Sequence, residues 1–300
     1  MTRPALTAAR LKTLLGWAGD PPPAQATIAS SRAHGAHRLH EIAVTINGAA
    51  ITGLFILPDG PGPHPAVLYA HAHGNRYAIG ADELILGRPA LQGPYGPALA
   101  DLGIASLAID LAPFGARQAQ GAEAALAKAA LWQGRPMMGQ MLAELAAAFG
   151  WLAAQPMIDG ARIATLGLSM GGTHAYWLAA LEPRIAACAH LCVLADIAPL
   201  IATGAHDLHG PYMTVPGLLA EGDMGDVAAL VAPRPQFVGL GADDPLTPAL
   251  ARDPALARLR MAYRAAPMAL EVHLSQDSGH VETPAMRAAV LDFLQRHLSR

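Results

Sequence analysis

The stretch Ala164-Thr165-Leu166-Gly167-Leu168-Ser169-Met170-Gly171-Gly172 decides how this chain is read. It joins an apolar run, RIATLGL (162–168), to a helical stretch, GGTHAYWLAAL (171–181). A tight strand-to-helix turn forces the backbone at Ser169 into a strained conformation, and only glycines two residues to either side leave room for the crossing chain. The serine hydroxyl then stands at the C-terminal edge of a sheet, above the positive end of the following helix. A glycine-rich turn with a passive serine would show the same letters, so the neighbouring segments have to decide.

They favour a nucleophile. Before the turn lie two strand-like runs, 41–47 and 50–57, joined by Asn47-Gly48, the strongest hairpin signal in the chain. A third apolar run, AVLYAHA, covers 66–72. Five more follow at 104–110, 162–168, 185–194, 235–241 and 268–274, separated by helical stretches at 119–154 (broken near Gly134 and Pro136), 248–264 and 284–298. Such alternation predicts an α/β fold with a mostly parallel central sheet, helices on both faces and an antiparallel hairpin at the N-terminal side. Residues 4–18 read as a short amphipathic helix before Pro21, Pro22 and Pro23, so 1–38 form a helical arm and 39–300 one catalytic domain. Irregular excursions are expected at 75–97 and 195–232.

A nucleophile needs a base and an acid to orient it. His280, in QDSGHVETP after the last strand, is the one among 13 histidines that follows that strand in a glycine-containing loop opening on the sheet edge of Ser169. For the acid, GLGADDPLTP offers Asp244, three residues after Gly241 and four before Pro248, with Asp243 and Asp196 as the other candidates. The order Ser169, Asp244, His280 suits this elbow. The oxyanion hole calls for the backbone N–H of Met170 and a second donor from HAHGNR (71–76), for which Asn75 is preferred because Gly74 lets the backbone turn. Pocket walls are expected from Arg76, Tyr95, Tyr212 and Met213; His174 and Trp177 on the nucleophile helix read as packing residues.

These segments together resemble an α/β-hydrolase of the branch that holds dienelactone hydrolases and acetyl xylan esterases. YAHAHGNRYAIGADE (69–83), ATLGLSMGG (164–172) and GPYMTVPGLLAEGDMGDVAALVAPRPQFVGLGADDPLTP (210–248) carry the likeness, which spans about 40–298. It implies a serine hydrolase acting on carboxylic esters of small to medium acyl groups, without a cofactor. Dienelactone hydrolases proper carry cysteine where this chain has Ser169, and the run HAHGN lacks the successive glycines of esterases related to hormone-sensitive lipase. A serine peptidase or amidase, an acyltransferase, and a non-catalytic binding protein on the same fold are the rival readings.

Composition narrows the remaining classes. The chain has 300 residues, 53% of them hydrophobic and only 14% charged, against roughly 25% charged in an average soluble domain. A net charge of −3 gives no reason to expect nucleic acid or an anionic membrane as partner, so the expected partner is a small-molecule ester; homo-oligomer formation is left open. No apolar stretch reaches the roughly 20 residues of a spanning helix. Cys188 and Cys192 are the only cysteines and read as reduced, buried residues of a cytoplasmic protein. His71 and His73 raise a metal reading, but no further ligand has sensible spacing, so no metal is expected.

Overall fold

A computed structural model describes residues 5–46 and 48–299. The strands are β1 (Gln25–His34), β2 (His37–Ile46), β3 (Ala49–Leu57), β4 (His64–Ala70), β5 (Ala105–Ile109), β6 (Ile158–Leu168), β7 (Ala187–Leu191), β8 (Gln236–Gly241) and β9 (Leu270–Ser275). They form one sheet in the order β1-β2-β3-β5-β4-β6-β7-β8-β9. The first three and β5 pair antiparallel, and every pairing from β5 onward through β9 is parallel. Strands β5, β7 and β8 are buried at every position, as expected of a sheet covered on both faces.

The helices are α1 (Ala8–Leu14), α2 (Glu83–Leu86), α3 (Tyr95–Asp101), α4 (Glu123–Trp132), α5 (Met137–Ala153), α6 (Met170–Leu181), α7 (Ile197–Thr203), α8 (Leu218–Glu221), α9 (Met224–Ala229), α10 (Ala249–Ala262) and α11 (Pro284–Leu298). One face of the sheet is covered by α5 and α6, whose Leu145, Phe149 and Trp177 join the larger core cluster. The other is covered by α3 and α11 through Leu99, Val290 and Phe293. Thr283 caps α11 by accepting from the Met286 N–H at 3.1 Å, with Pro284 as its first residue.

Two features differ from the sequence reading. Residues 25–34, assigned there to a helical arm, form the edge strand β1. Its residues are exposed at nearly every position, so it carries no apolar alternation and is held by pairing with β2. The excursion 195–232 is not irregular. It contains α7, α8 and α9, and the Asp223 carboxylate ties α9 to α7 by accepting from the N–H groups of Met224, Ile197 and Ala198 at 2.8, 2.6 and 3.0 Å. The hairpin between β2 and β3 turns through Gly48 at φ 79°, whereas Asn47 lies outside the described residues.

Candidate active site

Ser169 sits between β6 and α6 with φ 56° and ψ −123°, a conformation that costs an L-residue on the order of 1–3 kcal/mol. The surroundings over-determine it. The Ser169 N–H donates to the Leu191 carbonyl at 2.8 Å, and its own carbonyl accepts from Thr173 N–H at 2.9 Å. A methyl on Gly171 would overlap the Ala70 carbonyl, and one on Gly167 would overlap the backbone of Gly171. The glycines two residues either side are therefore sites of backbone approach.

At the same sheet edge, the loop after β8 and the loop after β9 are zipped together: Asp243 N–H donates to Ser278 at 2.9 Å and Ala242 N–H to Ser275 at 2.8 Å. This brings His280 Nδ1 to 2.8 Å from Asp244 Oδ2. Asp244 is 1% exposed, and its Oδ1 accepts from Leu246 N–H at 2.9 Å. An ionised carboxylate only accepts, so the bridging proton belongs to Nδ1 and the Nε2 lone pair is left toward the cavity. Asp243 is exposed. Asp196 is engaged elsewhere, paired with Arg258 and accepting from Gly225 N–H at 2.9 Å. Of the three candidate acids, the structure joins only Asp244 to His280.

Ser169 and His280 line one chamber of about 30 Å³, whose lining also includes Tyr212 and Met213. No hydrogen bond joins Ser169 to His280 among the described residues; such bonds are often long before substrate arrives. Tyr95 is not a wall. It is 1% exposed on the opposite face of the sheet, where its hydroxyl donates to Glu282 and the Arg287 guanidinium lies 4.5 Å from its ring centre. Arg76 is exposed and is not part of the lining of that chamber.

Asn75 is also corrected as an oxyanion donor. With φ at 54°, its N–H donates to His73 Nδ1 at 3.0 Å and so closes a turn within the loop. The preceding peptide is clamped differently. Ala72 N–H donates to both Glu83 oxygens at 3.2 and 3.1 Å, and Ala72 O accepts from Arg88 Nη2 at 2.7 Å. The His73 N–H, in the same peptide plane as that carbonyl and opposed to it, has no partner among the described residues.

Several buried groups behind the site have partners that the sequence reading did not assign. Glu83 pairs with Arg88 and accepts from the Tyr69 hydroxyl at 2.5 Å. Glu123 accepts from His73 Nε2 at 2.7 Å and from the Tyr77 hydroxyl at 2.8 Å. Glu282 accepts from Gln92 N–H at 2.7 Å, pinning the His280 loop to the loop before α3. The signal that could have found them is the scarcity of charge, against which the run Asp82, Glu83, Arg88 stands out.

The histidines near the loop are held within the protein. His71 Nε2 accepts from Leu111 N–H at 3.1 Å, and both His71 and His73 rings pack on Phe114, with centres 5.1 and 5.0 Å away. Burial lowers the His71 pKa from 6.5 to about 3. Below 6.5 the unfolded chain therefore binds a proton that the folded chain refuses until about 3, and stability falls as pH drops through that window. From pH 7 to 5 this residue should cost about 2 kcal/mol. Urea unfolding should show His71→Gln, which keeps an acceptor for Leu111, losing about that much less than the parent; equal losses would refute the assignment. His174 is similarly buried, with Nδ1 2.8 Å from the Met170 carbonyl and Trp177 beside it fully buried, both as packing residues.

A nucleophile-type turn at the C-terminal edge of a mostly parallel sheet, with a histidine–aspartate pair on the two loops that follow, defines an α/β-hydrolase. The chain belongs to the same hydrolase family as YtaP of Bacillus subtilis (strain 168), itself named a hydrolase by inference, with which it shares 38% identity over 240 residues, 79% of this chain and 80% of that one. No protein-family profile matches it. Its fold is similar to that of acetyl xylan esterase 1 from Thermoanaerobacterium sp. JW/SL YS485, with a TM-score of 0.67, 16% identity and coverage of 96% and 99% of the two chains. A glucuronoyl esterase from Solibacter usitatus aligns with a TM-score of 0.70 at 13% identity, over 96% of this chain and 92% of that one. An acetyl xylan esterase from Paenibacillus sp. R4 gives 0.66 at 21% identity, over 97% and 93%. Among the described residues, no helix is long and apolar enough to cross a membrane. Cys188 and Cys192 are both buried and free.

Proposed function

We propose that the protein is a serine esterase that hydrolyses carboxylic esters with a short acyl group. The observation that carries this reading is the strained Ser169 in a chamber shared with His280, whose Nδ1 is held by the buried Asp244. In this mechanism Ser169 Oγ attacks the ester carbonyl as His280 Nε2 takes its proton. The tetrahedral oxyanion is met by the Met170 N–H at the start of α6 and by the unpaired His73 N–H, in place of Asn75. His280 then protonates the leaving alcohol, and water activated by the same nitrogen releases the acyl group. Asp244 keeps His280 in the working tautomer and stabilises its charged form. The space beside Ser169 is narrow, walled by Met170, Tyr212 and Met224, which favours acetyl over longer acyl groups.

The test is a fluorophosphonate probe followed by peptide mapping, beside p-nitrophenyl esters of increasing acyl length. Stoichiometric label on Ser169 and fastest turnover of the acetate are expected. No label on folded protein, or faster cleavage of an aminoacyl p-nitroanilide than of any ester, would overturn the reading.

A further inference from the structure

His209 and Thr247 have no part in the chemistry above, yet both line the chamber that holds Ser169 and His280. Thr247 is 2% exposed and its Oγ1 has no hydrogen-bond partner among the described residues; nor does the buried His209 Nε2. In the tautomer with the ring proton on Nδ1, Nε2 is left as an acceptor. Burial lowers the pKa of His209 and favours this neutral form. Buried polar atoms are nearly always paired, so an acceptor and a hydroxyl left open in one reaction chamber point to a ligand group that meets both.

The space beyond them is large. His209 and Met213 also belong to the wall of a second cavity of about 660 Å³, framed mainly by Ile197, Ile201, Val215 and Leu218. Its place relative to the chemistry follows from the proton path. His280 must reach the leaving oxygen, and His209 lines both the chamber that holds His280 and the second cavity, so this cavity opens on the leaving-group side.

We infer that this cavity is the alcohol subsite, and that it takes an ester whose alcohol has an apolar body and a free hydroxyl beside the ester oxygen. That hydroxyl donates to His209 Nε2 and accepts from Thr247 Oγ1, while the apolar body lies against Ile197, Ile201 and Leu218. The inference rests on the esterase reading and adds the identity of the alcohol to it.

The experiment compares kcat/KM of the full chain for cyclohexyl acetate and 2-hydroxycyclohexyl acetate, with p-nitrophenyl acetate and fluorophosphonate labelling alongside. The hydroxylated ester should be preferred by about tenfold, the worth of one well-made hydrogen bond. His209→Phe and Thr247→Val should each erase most of that preference while Ser169 still takes the label. Leu218→Trp should lower the cyclohexyl acetate to ethyl acetate ratio by about tenfold, as expected when a bulky group fills a subsite. Equal rates for the two cyclohexyl esters with p-nitrophenyl acetate still cleaved would sink the subsite and spare the esterase. Absent labelling and absent cleavage of every ester would instead remove the reading beneath it. If Leu218→Trp changes tolerance of acyl length rather than of alcohol size, the cavity is an acyl pocket and the inference fails.

Discussion

Ser169→Ala is expected to lower kcat/KM for an acetate ester by about 10⁴–10⁶-fold while leaving the fold intact. Among the described residues the Ser169 side chain makes no hydrogen bond, and the strained turn is held by backbone contacts to Leu191 and Thr173, which alanine retains. Unfolding free energy should therefore move by no more than about 0.5 kcal/mol, as for substitutions away from packed or paired groups. Asp244→Asn makes the companion case. An amide can donate toward His280 Nδ1 and turn the ring to the wrong tautomer, so kcat should fall by about 10⁴. Asp243→Asn, on an exposed residue, should leave the rate unchanged. Stopped turnover with Ser169→Ala but full activity in Asp244→Asn would dismiss the histidine–aspartate pairing as a catalytic device. Full activity in Ser169→Ala would dismiss the elbow itself.

These residues were legible in the sequence because each is announced locally. The elbow carries its glycines within three positions of Ser169, and His280 is marked by a loop between the last strand and the last helix. The acid was less legible, since Asp196, Asp243 and Asp244 all follow strands; only the zipper between the loops after β8 and β9 decides which carboxylate meets the ring. Strand β1 was illegible for a physical reason, because an edge strand with neither face buried has no hydrophobic period to read. Asn75 and Tyr95 failed differently. Their positions in the loop were foreseen, but the direction of a loop N–H or side chain depends on distant partners, here His73 for Asn75 and Glu282 for Tyr95. The buried charges behind the site are of that second kind too, with the rarity of charge as their one visible trace.

Glu83→Ala puts that last group to the test, and about 3–5 kcal/mol of stability should be lost. Glu83 is fully buried, and Arg88 has only 3% of its side chain exposed. Removing the carboxylate leaves the guanidinium, the Tyr69 hydroxyl and the Ala72 N–H facing an empty, water-poor space. The loss should also reach the chemistry. Glu83 and Arg88 hold the two sides of Ala72, and the peptide that Arg88 grips carries the His73 N–H proposed to meet the oxyanion. Loosening one such donor lowers kcat by about 10²–10³. The double replacement Glu83→Leu with Arg88→Met separates the two effects. Packed apolar side chains often match or exceed a buried ion pair in stability, so denaturant unfolding should return close to the parent. Neither side chain can hold the Ala72 peptide, so kcat should stay low. If the double variant recovered both stability and rate, the ion pair would be a packing device and the His73 N–H would need no clamp. If it recovered stability alone, the pair of charges is kept in this sparsely charged core for the aim of one peptide.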